Sequence, residues 1–268
     1  DVYKRQVYEH QRAVTSDKRV YLLTRCAFAG QQRYAANTWS GDVMCNWETF
    51  RKQIPTGLNF SLSGIPYWNT DIGGFFNWPY YGGAENKAYH ELYTRWFQYG
   101  TFLPMQRSHG SGVKKEIYNL GKKGDWVYDS EEKYINLRYA LLPYLYSTGW
   151  QVTDNAGSFL RALFMDFNED KKVHTISNQY MFGKAFLVTP VTRNMYVFSD
   201  KEQWKDPYED FSKTGTQDVY LPKGTKWFDF WTGEALNGGQ MVTKEVPIDI
   251  IPLLSLIHIS EPTRLALI

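Results

Sequence analysis

Four polar side chains stand directly after short apolar runs in the first half of the chain, where they could act together on one substrate. They are Arg25 after residues 20–24, Asp42 after 34–39, Asp71 after 62–68 and His109 after 101–105. A carboxyl group, a guanidinium and an imidazole in one pocket can transfer a proton and bind hydroxyl groups. If the apolar runs are parallel strands, their carboxyl ends bring these groups to one edge of a sheet.

Asp42 is the candidate for acid–base chemistry. The segment Trp39-Ser40-Gly41-Asp42 puts a carboxyl group beside an indole and after a glycine that allows close approach. A carboxyl group desolvated by an aromatic wall has a raised pKa, which suits a general acid working near neutral pH. An Asp before a helix is also a common N-cap, and the residues alone leave both uses open.

Arg25 and His109 could donate hydrogen bonds to substrate hydroxyls, although a loop histidine is also often satisfied by purely structural contacts. Other site chemistries lack their motifs. The five His show no HExxH spacing, and the two cysteines, Cys26 and Cys45, cannot form a four-cysteine zinc site. No phosphate-binding glycine motif and no GxSxG elbow is present. We therefore expect neither a metal nor a cofactor.

The composition excludes several classes of protein. Lys and Arg number 30 against 28 Asp and Glu, so the net charge of +2 indicates neither a nucleic-acid partner nor an anionic membrane. Charged residues interrupt every apolar run before the roughly 18 residues that a membrane helix needs. Aromatic residues make up 17% of the chain. They predict an aromatic core, a surface that stacks sugars or bases, or both, with Trp68 and residues 78–81 as candidates for stacking.

The pattern in the first half is strand, loop and helix, repeated. Besides the four strands at residues 20–24, 34–39, 62–68 and 101–105, helices are predicted from Asn46 onward, over 85–99 and over 131–148. Pro55 marks a kink or early stop of the first helix, and Pro143 must bend the last. This alternation predicts a parallel sheet of the α/β class and suits part of a (β/α)₈ barrel, whose chemistry lies at the carboxyl ends of its strands.

The second half has no helical pattern of ten residues. Short strands are predicted at residues 159–164, 180–191, 218–221, 226–231 and 241–246, with Pro222-Lys223-Gly224 and Asn237-Gly238-Gly239 as turns. We expect a barrel part over residues 7–154, an antiparallel β-sandwich over 155–235 and the truncated start of a second β domain over 236–254.

Both ends of the chain look foreign. Residues 1–6, DVYKRQ, and 255–268, SLIHISEPTRLALI, are typical of translated read-through from sequencing adapters. Neither stretch carries a helical or alternating period that continues its neighbour, although an ordinary frayed tail would look similar. On this interpretation the natural protein continues beyond both ends, and any targeting segment lies outside this sequence.

A series of motifs in fixed order resembles glycoside hydrolase family 31. The motifs are Leu23-Thr24-Arg25, AFAGQQRY at 27–34, Trp39-Ser40-Gly41-Asp42, GIPYW at 64–68, DIGGF at 71–75, RWFQYG at 95–100, Arg107-Ser108-His109, ALLPYLY at 140–146, QYMFG at 179–183 and WFDFWTG at 227–233. They extend over nearly all of residues 7–254, and so many motifs in order make the resemblance very specific.

The resemblance implies a retaining α-glycosidase, with the last four strands of a (β/α)₈ barrel followed by β-sandwich domains. By this resemblance Asp42 is the general acid/base, Arg25 and His109 bind the sugar, and Trp39, Asp71 and Phe75 line its pocket. Cys26 departs from the family, which usually has Ser there. The family's nucleophile, an Asp in a tryptophan-rich motif upstream of the first strand, has no counterpart here, so we expect this chain alone to be inactive. An incomplete barrel would also expose an unpaired strand edge and tend to aggregate.

The motif AFAGQQRYAA, with Trp68 and Thr70-Asp71, is closer to bacterial α-xylosidases that degrade xyloglucan than to α-glucosidases. The expected partner is an oligosaccharide, either of the xyloglucan type or an α-glucoside. A non-catalytic carbohydrate-binding protein is the alternative, and a purely structural use of the polar residues is a third interpretation. The sequence assigns neither a compartment, with a bacterial periplasmic or extracellular location being compatible, nor an oligomeric state.

Overall fold

A three-stranded parallel sheet carries the candidate site in the computed structural model, which describes residues 2–256. Its strands are β1 Leu22–Thr24, β2 Ala36–Trp39 and β3 Trp68–Asn69. β1 pairs with β2 and β2 with β3, each in parallel, as the sequence predicts. The predicted fourth strand at 101–105 is wrong, because this run forms the end of a helix and the turns after it. Two isolated parallel bridges, between Ile72 and Ser108 and between Phe76 and Ser111, lie just after the place where that strand was expected.

Seven α-helices lie within the described residues, with 3₁₀ turns at Gln31–Tyr34, Gly83–Glu85, Lys171–Thr175 and Glu202–Trp204. They are α1 Val2–Val14, α2 Trp47–Leu62, α3 Lys87–Thr101, α4 Ile117–Leu120, α5 Trp126–Ala140, α6 Leu142–Asn155 and α7 Leu163–Asp166. α3 is the predicted helix at 85–99 displaced by two residues. α5 and α6 replace the predicted long helix, since the chain breaks at Leu141, just before Pro143.

α2 begins as predicted, because the Asn46 side chain accepts a hydrogen bond from the Thr49 N–H at 2.7 Å. It does not stop at Pro55 but continues to Leu62. Phe50 and Ile54 are fully buried before and at the proline, and this packing holds the helix together despite the lost hydrogen bond. The predicted strand at 62–68 therefore starts too early, and only its last residue lies in β3.

The N-terminal helix crosses the predicted boundary at residue 6. α1 runs without a break from Val2, so the expectation that residues 2–6 carry no helical continuation is wrong. The Lys4 ammonium donates hydrogen bonds of 2.7 Å to the Cys26 carbonyl and to Gln31 Oε1. The foreign origin of this segment stays a prediction. The same prediction was made for residues 255–268, of which residues 257–268 lie outside the described residues.

The second half is antiparallel, as predicted. Its strands are β4 Leu160–Ala162, β5 Tyr180–Phe182, β6 Phe186–Val188, β7 Val197–Phe198, β8 Tyr208–Glu209, β9 Thr216–Leu221, β10 Lys226–Asp229, β11 Ala235–Asn237, β12 Gln240–Glu245 and β13 Leu253–Ser255. Six of them form a sheet in the order β11-β10-β13-β6-β5-β4, and β12 pairs with β9 and β7 with β8. Residues 236–254 thus supply strands that pair with those of 155–235, across the boundary expected at 235.

The central strands β5, β6 and β13 of the six-stranded sheet are buried on both faces, and their side chains alternate between two cores. Phe186 and Val188 of β6 join the core that contains the barrel helices. Leu187, between them, joins a second core with Val219 and Leu221 of β9. Because successive side chains of a strand point to opposite faces, one sheet covers the barrel part and also packs against the pair of strands β9 and β12. This attachment fixes α2 and α3 behind the parallel sheet.

Candidate active site

Arg25 and Asp42 meet at the carboxyl ends of neighbouring parallel strands. Arg25 follows β1 directly and Asp42 lies three residues after β2, so the pairing of β1 with β2 brings the two loops together. Arg25 Nη1 lies 3.3 Å from Asp42 Oδ2. The Arg25 side chain is 61% exposed and that of Asp42 is 30% exposed. A carboxylate held in this way is oriented by a guanidinium and is still accessible to a ligand.

Gly41 is required for this approach. Its φ is +75°, a left-handed conformation that favours glycine, and a Cβ on it would lie 3.0 Å from Arg25 Nε. A side chain at this position would strain the backbone and displace the guanidinium from Asp42. The group that approaches this glycine closely, as the sequence predicts for some group, is therefore the Arg25 guanidinium.

Asp71 and Arg107 form a second ion pair deeper in the structure. Asp71 is fully buried, and Arg107 Nη1 donates to its Oδ1. Burial raises the pKa of Asp71 to about 6, although the positive charges of Arg107 and Lys115 act in the opposite direction. The guanidinium carbon of Arg107 also lies 5.5 Å from the centre of the Trp39 ring. Asp71 thus orients Arg107 against the indole and is not accessible to a substrate.

His109 lies beside Phe75 and is exposed, with 5.5 Å between the two ring centres. Partial desolvation lowers the pKa of His109, and the charges of Arg107 and Lys115 lower it further, while Asp42 acts in the opposite direction. The imidazole is therefore neutral at neutral pH, with one ring nitrogen that donates and one that accepts a hydrogen bond.

Backbone hydrogen bonds join the three loops that carry these side chains. The Phe75 N–H donates to the Val43 carbonyl at 2.7 Å, and the Ser111 N–H donates to the Phe75 carbonyl at 2.9 Å. Gly74 makes the first approach possible, since its φ is +76° and a Cβ on it would lie 2.5 Å from the Cys45 Cα. The loop after β3 is therefore held between the loop after β2 and the loop of His109.

The structure brings the six predicted residues into three contacting groups, Arg25 with Asp42, Trp39 and Asp71 around Arg107, and Phe75 with His109. The charge of Asp42 acts on the pKa of both Asp71 and His109, which links the groups. The alternative use of Asp42 as a helix cap is wrong, because Asn46 caps α2. Arg107 belongs to the motif Arg107-Ser108-His109, but its pairing with Asp71 was not predicted.

Lys115 was missed altogether. Its ammonium is buried and donates to the carbonyl oxygens of Ile72, Gly74 and His109. Burial lowers the pKa of Lys115 to about 8, against the attraction of Asp71. In the sequence the pair Lys114-Lys115 has the pattern of an exposed charged turn, and no other signal marks the second lysine.

Two further findings concern the range 2–256. No group of three or more His, Cys, Asp or Glu side chains is arranged there to hold a metal ion. Within the same range no helix has both the length and the apolar character needed to span a bilayer.

A groove of about 1090 Å³ lies at the end of the parallel sheet opposite the candidate site. It is lined by Tyr21 and Tyr67, which precede β1 and β3, and by residues of α6 such as Trp150.

Two family models match this chain. The model of the glycosyl hydrolases family 31 TIM-barrel domain matches residues 2–148, and that of the glycosyl hydrolase family 31 C-terminal domain matches residues 156–255. The chain belongs to glycoside hydrolase family 31. The resemblance seen in the ordered motifs is confirmed, and so is the order of a barrel part followed by a β domain.

Relatives within family 31 include enzymes for two sugars. An alpha-xylosidase of Saccharolobus solfataricus is 48% identical over 247 residues, covering 92% of this chain and 30% of the relative. Alpha-glucosidase 2 of Bacillus thermoamyloliquefaciens is 32% identical over 92% of this chain and 27% of its own length.

Solved structures of family 31 agree. An alpha-xylosidase from Xanthomonas citri superposes with a TM-score of 0.83 at 41% identity, over 94% of this chain and 26% of that one. An alpha-xylosidase from a soil metagenome, complexed with xylose, superposes with a TM-score of 0.81 at 31% identity, over 98% of this chain and 38% of that one. The chain therefore spans between a quarter and two fifths of the length of these four relatives.

Proposed function

We propose that this chain supplies the proton-transferring side of a retaining α-glycosidase active site that releases a terminal α-linked xylose. The observation that carries the proposal is the Asp42 carboxylate, partly exposed at the carboxyl end of β2 and 3.3 Å from Arg25. A carboxyl group in this position can protonate the oxygen of a leaving sugar and then deprotonate the attacking water.

The attacking carboxylate of a retaining reaction stands about 5–5.5 Å from the acid/base group. Asp71 is a poor candidate, since it is fully buried and paired with Arg107. We place the nucleophile in the part of the catalytic domain that precedes β1 in the longer relatives. The isolated chain is then inactive, and purified chain should give no turnover of an aryl α-xyloside.

The other residues would hold the sugar. Arg25 and the neutral His109 would donate hydrogen bonds to its hydroxyls and stabilise the oxocarbenium-like transition state. Trp39, Phe75 and the Arg107–Asp71 pair would form the wall of the pocket, with Asp71 acting through Arg107. Arg25, Asp42, Asp71 and Phe75 lie on loops after parallel strands and Trp39 is the last residue of β2, so they stand where barrel enzymes carry their catalytic groups.

Xylose is favoured over glucose as the sugar. The alpha-xylosidase of S. solfataricus is 48% identical to this chain, against 32% for the B. thermoamyloliquefaciens alpha-glucosidase 2. The motif at residues 27–36 points the same way. A pocket distinguishes one carbon substituent by about 1–3 kcal/mol, so the expected preference for the aryl α-xyloside over the α-glucoside is about tenfold to two-hundredfold.

A graft tests the proposal. The matched 247-residue region of the S. solfataricus alpha-xylosidase is replaced by the corresponding residues of this chain, and turnover of aryl α-xylosides is measured. The graft should be active. Asp42→Ala should lower its rate about 10²–10⁴-fold on a substrate with a poor leaving group, and far less on α-xylosyl fluoride, whose leaving group needs no proton.

The matched control is Asp154→Ala, which removes an exposed carboxylate on α6 and should leave the rates unchanged. Full activity of Asp42→Ala on the poor leaving group would remove Asp42 from its proposed role. An inactive graft that still binds xylose-capped oligosaccharides, equally well with Asp42→Asn, would favour the non-catalytic carbohydrate-binding alternative.

A further inference from the structure

Lys115 lies behind the candidate site and touches two of its loops at once. We infer that Lys115 is a positioning residue, whose buried ammonium holds the loop after β3 against the loop of His109 and so fixes the two sides of the sugar pocket. This inference rests on the proposed function, because the pocket it shapes is the one assigned there.

The three N–H groups of the ammonium match three carbonyl oxygens. Nζ lies 2.9 Å from the Ile72 oxygen and 2.8 Å from the His109 oxygen, and it also donates to the oxygen of Gly74. An ammonium has three donors, so its hydrogen-bonding capacity is filled. Two of the acceptors stand between Asp71 and Phe75, and the third belongs to His109 itself. One side chain therefore connects the pocket wall to the sugar-binding imidazole.

Lys115 is held firmly in its own place. The Tyr93 hydroxyl on α3 lies 3.0 Å from the Lys115 carbonyl oxygen and 2.7 Å from Ser108 Oγ. Gly110 leaves room for the ammonium, since a Cβ at that position would lie 2.7 Å from Lys115 Nζ. Lys115 is thus attached to the buried helix α3 through its backbone and to both loops through its ammonium.

Burying an ammonium costs free energy, because the charge loses its hydration. An apolar side chain of similar length would pack there without the cost of desolvating a charge, whereas only a donor can orient three carbonyls. Arg, whose planar fork differs from the three-directional ammonium, would not reproduce this set of bonds. The loops should therefore lose their relative position when the ammonium is removed, while the distant β domain stays intact.

The first arm of the test uses the 268-residue chain. Lys115→Met keeps the length of the side chain and removes its donors, and Lys114→Met changes the adjacent exposed lysine as the matched control. Amide hydrogen exchange at residues 72–75 and 108–111 should become at least tenfold faster in Lys115→Met and should not change in Lys114→Met. Unchanged exchange in these loops, or an equal acceleration in β5 and β6, would overturn the inference in favour of a general packing role.

The second arm uses the active graft. Lys115→Met should lower kcat/KM for an aryl α-xyloside about ten- to a hundredfold, mainly through a higher KM, because the displaced groups bind the sugar before and during the reaction. A fall in kcat with KM unchanged would contradict the inference. If Lys115→Met does not fold, Lys115→Gln, which keeps two donors, should give the same changes in smaller size, and wild-type values would overturn it. A graft without turnover refutes the proposed function, while the hydrogen-exchange experiment still shows whether Lys115 holds the two loops together.

Discussion

Glu131 is a buried acid outside the candidate site. Its side chain is fully buried on α5, and neither of its carboxyl oxygens has a hydrogen-bond partner among residues 2–256. Burial raises the pKa of Glu131 to about 9. At neutral pH this side chain is therefore protonated, and the folded chain binds a proton that the unfolded chain releases.

This difference in proton binding predicts a pH-dependent stability. The contribution of Glu131 is fully present below about pH 4.5, the ordinary pKa of Glu, and is lost as the pH rises toward about 9. Glu131→Gln keeps the neutral form, so its free energy of unfolding should increase relative to this chain between about pH 5 and pH 8, by at most about 1.4 kcal/mol per pH unit. Urea denaturation at several pH values measures this, with Glu132→Gln as the control. Parallel pH profiles for Glu131→Gln and the unmodified chain would contradict it.

At the scale of single residues, the sequence predicts the candidate site residues that belong to a local motif. Trp39, Gly41 and Asp42 form one continuous motif, and Arg25 ends an apolar run. Lys115 could not be predicted, because two of the three carbonyls that its ammonium binds, those of Ile72 and Gly74, are distant in sequence. The same is true of Glu131, which looks like any charged residue of an exposed helix.

At the scale of elements, α3 connects the barrel part to the β domain through two buried charged side chains. Glu91 accepts hydrogen bonds from the backbone N–H groups of Met195, Tyr196 and Val197. One turn later, Arg95 donates to backbone carbonyls of residues 246, 247 and 250. Because charged groups form the stronger hydrogen bonds, these contacts fix α3 against two separate segments of the β domain.

Glu91→Gln should loosen this connection. The substituted amide turns a donor toward backbone N–H groups, so at least one buried donor is left without a partner. We expect a loss of about 2–3 kcal/mol in the free energy of unfolding, measured by urea denaturation. The control is Glu85→Gln, an exposed glutamate just before α3, which should have little effect. Equal midpoints for the two variants would show that Glu91 does not hold the two parts together.

The elements that the sequence predicted correctly are those with a local signal. Asn46 marks the start of α2, and the aromatic residues of one face mark α3. The strand predicted at 62–68 starts too early and the strand predicted at 101–105 is wrong, because apolar content alone does not distinguish a strand from a helix end. Phe102 and Leu103 are fully buried, but they pack in a turn after α3. The pairing of residues 236–254 with earlier strands depends on contacts between distant segments, which no local pattern shows.

At the scale of the whole molecule, the parallel sheet has an open side. Within residues 2–256, β1 pairs with β2 and with no other strand. The groove of about 1090 Å³ at the amino end of this sheet is lined by aromatic side chains, of which Trp150 on α6 is 62% exposed and Tyr146 is 66% exposed. Exposed aromatic residues that are grouped in this way are typical of surfaces that another chain covers. In the longer relatives the free edge of β1 would meet the rest of the catalytic domain.

The isolated chain should therefore associate with itself through this groove. Trp150→Ser removes an exposed indole from it and should lower the association constant, measured by sedimentation, about fivefold or more, because truncating an interface aromatic at a hot spot costs over about 1 kcal/mol. Trp78→Ser is the matched control, since Trp78 is 66% exposed but lies near the candidate site at the other end of the sheet. If Trp78→Ser lowers association as much as Trp150→Ser, contact is nonspecific. If neither changes it, the groove is not a docking surface.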